Sequence, residues 1–241
     1  MKPTDNQTNR TTIIDGLPLK TWWATLLVLP LSVRLIHWLV NKTTISPNTI
    51  TVIGLSLRLL TAALFAVGTP ETLMGGALAY IAAYVCDCSD GAVARITGKT
   101  SEFGRYLDHV SDLAGDIIIL LALAWSQHCI NQPWLWAMVF MHVAECYISY
   151  LSGFVLASHN GTLGDVAPLR WFNRYRSWFF RRNLKSFLSF PDYTALVFVI
   201  CPLLGVAAVG LHWGFYLLLA VCLYTVLSTF ASIHSVEKRF P

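Results

Sequence analysis

Residues 72–126 read TLMGGALAYIAAYVCDCSDGAVARITGKTSEFGRYLDHVSDLAGDIIILLALAWS. Two apolar runs, each long enough for a membrane-spanning helix, meet at a short polar turn around Gly98 and Lys99. Carboxylates interrupt both runs near that turn. Six of the chain's thirteen acidic residues fall between Asp87 and Asp116. On a helix, Asp87 and Asp90 share a face, and so do Asp108 and Asp112, one turn apart. The short turn predicts antiparallel neighbouring helices. Both acid pairs then lie about two turns in from the same end and face each other. Gly91, Ala94 and Gly104 are small enough to let the two backbones approach or to leave room for a ligand.

Outward from this stretch the chain keeps the same character. It has 241 residues, of which 55% are apolar, 13% aromatic and 12% charged. The mean hydropathy is +0.56. Soluble domains carry about 25% charged residues, so the expected solvent is a bilayer. The composition excludes disorder and a disulfide scaffold. A net charge of +4, scattered along the chain, excludes a nucleic-acid binder. The six cysteines show no zinc spacing and read as small core residues. The polar residues 1–16 lack the early apolar core of a secretory signal, so insertion is expected from the later segments.

Six segments qualify as spans: 48–67, 72–96, 104–126, 133–157, 192–210 and 213–234. Gly68 with Pro70, Asn131 with Pro133, and Gly210 mark the breaks between hairpin partners. The expected fold is an all-α integral membrane protein, a six-helix transmembrane bundle forming one domain over 1–241. Residues 1–20 form a polar tail and 48–234 the bundle. Residues 21–41 hold Trp22, Trp23, Arg34, His37 and Trp38 and are expected as an interfacial helix, with a seventh span the alternative. The loops at 68–71, 127–132 and 209–212 contain no Lys or Arg, whereas the other side collects Lys20, Arg34, Lys42, Lys99 and the basic cluster at 170–185. Both termini and the acidic site are therefore expected on the cytoplasmic side. Trp125, Trp134, Trp136 and Trp213 fall near the outer boundary.

Four converging carboxylates repel one another unless their charge is cancelled. Arg95 alone does not suffice, whereas two hard divalent cations with oxygen ligands do. Two metal ions about 4 Å apart form a clamp for displacement at phosphorus. Spacing and depth thus point to a magnesium site acting on a diphosphate. The competing reading is a buried ion-pair network, for which four acids against one nearby arginine are poorly matched.

The pattern Asp87-x-x-Asp90-Gly91-x-x-Ala94-Arg95, then eight residues, then Gly104-x-x-x-Asp108-x-x-x-Asp112 resembles the signature of the class I CDP-alcohol phosphotransferase family, with no departure. Pro47-Asn48-x-x-Thr51 resembles the family segment that opens the first span. The resemblance implies Asp87, Asp90, Asp108 and Asp112 as ligands of two Mg2+ ions, with Mn2+ able to substitute. It implies Asp112 as general base on the acceptor hydroxyl. Asn48, Thr51, Gly91, Arg95 and Ser101 would bind the CDP donor, with Lys99 or Thr100 able to stand in for Ser101. The implied reaction transfers a phosphatidyl-type group from a CDP-alcohol to a second alcohol, releasing CMP. The shorter chain favours CDP-diacylglycerol as donor and a small polar alcohol as acceptor. The alternative direction transfers a small head group from a soluble CDP-alcohol to a lipid. A cation transporter using the aspartates is the distant alternative. A homodimer is implied only by the resemblance.

The remaining ionisable residues have two readings each. Arg58, Asp116, His142 and Glu145 lie at similar depth. They either line an acceptor pocket or form a buried Arg58–Asp116 or Arg58–Glu145 pair. His109 is expected off the ligand face. Residues 169–182 alternate aromatics with basic residues that include Arg170 and Arg174. That pattern suits an amphipathic helix drawn to anionic lipid. Its alternative role is a site for a phosphate on the acceptor. The acceptor itself is not legible in the sequence.

Overall fold

The computed structural model describes residues 23, 27–158 and 189–237. The tail 1–20, most of 21–28 and the basic segment with Arg170 and Arg174 lie outside the described residues. Among the described residues the regular structure is all helical. The helices are α1 (Leu29–Lys42), α2 (Pro47–Val67), α3 (Pro70–Thr97), α4 (Glu102–Ser126), α5 (Pro133–Ser158), α6 (Phe190–Leu203) and α7 (Ala207–Glu237). Residues 196–200 of α6 run as a wider π turn. By length and composition α2, α3 and residues 207–227 of α7 are able to cross a membrane.

The helix starts follow local chemistry. Ser46 and Thr69 each precede a proline in the first turn and accept a hydrogen bond from a backbone N–H three residues on. Such caps satisfy donors that a helix N-terminus leaves open. Ser101 does the same for α4 by accepting from the Gly104 N–H at 3.0 Å. The Ser189 N–H donates to the Asp192 carboxylate at 2.9 Å and thereby opens α6.

Two expectations are corrected. The break between the last two helices falls at Leu204–Val206, where Gly205 takes φ +71°, and not at Gly210. Gly210 lies inside α7, where a Cβ would come within 2.5 Å of Cys201 Cβ. Its lack of a side chain lets α7 close on α6, so it serves packing and not termination. The loop expected at 209–212 is correspondingly the first part of α7. The second correction concerns neighbours. α3 and α4 do not pack mainly on each other; α2 lies between them and packs on both. Close approach is provided by Gly115 of α4, where a Cβ would fall 2.5 Å from Arg58 Cδ of α2. Gly104 faces Asn48 of α2, and the nearest atoms to a Cβ on Gly91 belong to Arg95. A four-residue loop joins α3 to α4 but does not oblige them to touch, because α2 packs on both.

The main core joins Phe65, Tyr80, Ile119, Leu123, Leu135, Met138, Tyr193, Phe198, Leu211 and Leu218. A second cluster lies under α1, whose Ile36 and Leu39 pack with Ile50, Ala92 and Val93. The opposite face of α1 exposes Arg34, His37 and Trp38. Large apolar side chains such as Leu60, Leu78, Phe140 and Leu223 point outward. Outward apolar faces on long helices suit a lipid surround.

Candidate active site

The site is built where α2, α3 and α4 meet. Asp108, Asp112 and Asp116 stand at four-residue spacing on α4, and α3 brings Asp87 to them. One carboxylate oxygen from each of Asp87, Asp108 and Asp112 lies within 4.8 Å of the other two. Asp90 is held to one side. Thr51 Oγ1 donates to Asp90 Oδ2 at 2.6 Å, and the Gly91 N–H donates to Asp90 Oδ1. The three-residue offset between Asp87 and Asp90 turns them about 60° apart on the helix, which lets α2 capture the second alone. Of the four expected ligands, three converge and the fourth is pinned to α2.

The sequence reading left the role of Arg58 open, and the structure places it inside the cluster. Its guanidinium lies 2.7 Å from Asp112 Oδ1, 3.7 Å from Asp87 Oδ1 and 3.5 Å from Asp116 Oδ1. It is 5% exposed. The expected Arg58–Asp116 pair is therefore present as part of a larger network, and Glu145 is not among the ion-pair partners of Arg58. The Tyr80 hydroxyl donates to Asp116 Oδ2 at 3.2 Å. Tyr80 sits in an apolar run and carries no sequence signal beyond that of a core aromatic.

One guanidinium among four acids leaves the cluster under-neutralised. Three carboxylate oxygens within 4.8 Å are hard donors of the kind Mg2+ and Mn2+ prefer. Asp87, Asp108 and Asp112 thus fit a divalent metal site, as keyed by the chemistry of their donor set.

Two cavities flank the cluster. The first, of about 300 Å³, is lined by Asn48, Thr51, Gly91, Arg95 and Ser101, all five residues expected to hold the donor. Lys99, Thr100 and Arg105 join them, with Asp90 and Asp108 on its wall. Arg105 was not foreseen; an exposed basic residue inside a motif gap reads as solvated surface. The second cavity, of about 460 Å³, is lined by Asp87, Asp112, Asp116, Arg58, His142 and Glu145, together with Tyr80, Tyr84, His109, Ser149 and Thr194. His109 stacks near Tyr150 at 5.4 Å between ring centres and stands outside the three-acid group. The four motif aspartates therefore divide, two to each cavity, and the acid cluster is the wall between them.

In the lining of the second cavity Glu145 Oε1 accepts from Thr225 Oγ1 at 2.7 Å and Ser149 Oγ at 3.1 Å. Thr225 lies eighty residues away in sequence, so no local pattern reveals it. The His142 ring packs edge-on against Phe190 and Tyr193.

Residues 44–227 match the family model described as CDP-alcohol phosphatidyltransferase. Over 80 residues the chain is 38% identical to an archaetidylinositol phosphate synthase of Pyrococcus horikoshii. That match covers 33% of this chain and 41% of the relative, so it spans less than half of the relative's length. Two crystal structures of the Mycobacterium tuberculosis phosphatidylinositol phosphate synthase share the fold. The complex with manganese and citrate aligns with a TM-score of 0.51 at 18% identity, covering 83% of this chain and 90% of that one. The apo form aligns with a TM-score of 0.50 at 18% identity, covering 86% and 97%. The family match takes in α2 to α6 and most of α7, and with them every helix that borders the two cavities. The chain belongs to the CDP-alcohol phosphatidyltransferase family.

Proposed function

We propose that this protein transfers a phosphatidyl-type group from CDP-diacylglycerol to the hydroxyl of a small polar alcohol and releases CMP. The observation that carries this reading is the acid wall shared by two cavities, one lined by the five donor residues and the other by polar side chains. A transfer between two substrates needs such an arrangement, because the reacting groups must meet at one place from two sides.

In this reading Asn48, Thr51, Gly91 and Ser101 seat the nucleotide, and Arg95 holds the diphosphate through charge-assisted hydrogen bonds. Asp87, Asp108 and Asp112, with Asp90 beside them, would hold divalent ions, and Mg2+ bound there would supply neutralisation of the diphosphate and of the departing CMP. Asp112 faces the second cavity and takes the proton from the acceptor hydroxyl. The acceptor oxygen forms a bond to the lipid-bearing phosphorus, the bond from that phosphorus to the CMP oxygen breaks, and the proton passes from Asp112 to solvent. Arg58 orients Asp112 from the buried side.

The membrane arrangement we propose has α2 to α7 as six spans, α1 at the interface, and both termini and the site on the cytoplasmic side. Exposed Trp125, Trp136 and Trp213 at one end of the bundle support it, as does the lack of Lys and Arg in the turns there. A homodimer remains part of this reading. The test is purified protein with labelled CDP-diacylglycerol, Mg2+ and a panel of alcohols. CMP and a new lipid phosphodiester are expected together. Bound donor with no CMP released by any alcohol counts against the reading.

A further inference from the structure

The second cavity has a polar end that the transfer chemistry does not use. His142 is 0% exposed, and neither of its ring nitrogens has a hydrogen-bonding partner among the described residues. Glu145 is 2% exposed. Its Oε1 is occupied by Ser149 and Thr225, whereas Oε2 has no hydrogen-bonding partner among the described residues, with the weak Cys222 thiol near the carboxyl. Both residues line the cavity. Buried polar groups are almost always paired, so two such groups on one cavity wall point to a ligand that completes them. α5 places them one turn apart, and Thr225 of α7 fixes the carboxylate between two helices.

The charge of this cavity limits what the ligand is. Among its described lining residues, Asp87, Asp112, Asp116 and Glu145 stand against Arg58. Arg58 is already engaged by Asp87, Asp112 and Asp116. Positive charge from a bound metal ion would be held by Asp87, Asp108 and Asp112 and would be matched by the donor diphosphate. Glu145 therefore meets the acceptor with no described cation to offset a second anion. A phosphate there repels the carboxylate and finds no unengaged Arg or Lys among the described lining residues, which is the kind of negative element that sets specificity. A hydroxyl or ammonium group instead donates to Glu145 Oε2 and pairs with the His142 ring.

We infer that the acceptor is an unphosphorylated polar alcohol whose second hydroxyl or ammonium group is received by Glu145 and His142, making these two the acceptor-selecting residues. This rests on the proposed transfer reaction, since it assigns the second cavity to the acceptor.

The experiment pairs each alcohol with its phosphate: myo-inositol with inositol 1-phosphate, glycerol with glycerol 3-phosphate, and serine with phosphoserine. Acceptor binding is measured by calorimetry on the Mg2+-loaded protein, and turnover by CMP release from CDP-diacylglycerol. One or more unphosphorylated members should bind and exceed their phosphates in kcat/KM by about tenfold or more. Serine against the two polyols separates an ammonium from a hydroxyl as the group received. Glu145→Gln keeps the shape and the Ser149 and Thr225 contacts. It and His142→Phe should each raise the acceptor KM about tenfold, with the donor KM and the unfolding midpoint at wild-type values. His142→Gln, which restores a hydrogen-bonding group, should recover part of the loss. A preference for the phosphate member of every pair overturns the inference. So does a wild-type acceptor KM in both Glu145→Gln and His142→Phe. Absence of CMP release with donor bound refutes the transfer reaction instead, and calorimetry on the same pairs still decides which acceptor the cavity takes.

Discussion

Arg58→Met keeps much of the side-chain volume and removes the charge. The guanidinium is 5% exposed and lies 2.7 Å from Asp112, 3.5 Å from Asp116 and 3.7 Å from Asp87. At such distances each attraction is about 4 kcal/mol at an effective dielectric near 20, before the charge's own desolvation is subtracted. Removing one partner of a buried ion pair has a net effect of about 3–5 kcal/mol, because the abandoned acids stay buried. In EDTA the variant should therefore unfold roughly 6–20 °C below wild type. Magnesium should then narrow the gap. The acid cluster without its arginine binds a divalent ion more tightly, and a ligand at a hundredfold its Kd stabilises by about 2.7 kcal/mol. The Mg2+-induced rise in midpoint should thus be larger in Arg58→Met than in wild type. The assay is thermal unfolding in detergent, scanned in EDTA and in Mg2+, with Ca2+ as a second ion. An equal rise in both proteins, or an unchanged midpoint in EDTA, refutes the placement of Arg58 as the counter-charge of a metal site.

Asp87→Asn and Asp108→Asn should each abolish CMP release and remove the Mg2+-induced rise in midpoint, as read by the same scans. Asp112→Asn should lose about a hundredfold or more in turnover while keeping the CDP-lipid, and Arg95→Ala should weaken donor binding, with Arg95→Lys a partial rescue; single-turnover rates and donor affinity on both separate these roles. Gly115→Ala puts a Cβ 2.5 Å from Arg58 Cδ, so it should lower stability by about 1–3 kcal/mol and also reduce turnover, because Arg58 must shift away from the acids. A reporter cysteine at Lys99 should be labelled from the cytoplasmic side and one at Gln132 from the opposite side; labelling of both from one side excludes the six-span arrangement.

Much of the site was legible because helical spacing is a local property. The set Asn48, Thr51, Gly91, Arg95 and Ser101 was implied by the family resemblance, and these residues line one cavity. The caps at Ser46, Thr69 and Ser101 are equally local, settled within one turn, but run length alone did not single them out. Gly210 misled because a glycine in an apolar run signals either a break or a close contact, and only the presence of Cys201 opposite it distinguishes the two. The packing of α3 and α4 misled because a short loop limits the distance between two helices without choosing their partners.

By itself the sequence determined an apolar helical chain of membrane character and which carboxylates share a helix face, through composition, run length and the fixed 3.6-residue period, while the nucleotide reading came from the resemblance of its motif to a family signature. Only the tertiary structure decided that α2 stands between α3 and α4, with Arg58 among three acids and Thr51 drawing Asp90 aside. It also decided that the acid wall divides two cavities and that Glu145 meets Thr225 across eighty residues. These contacts depend on which distant helical faces bury against one another, and that choice is made by the packing of the whole bundle and not by any stretch of it.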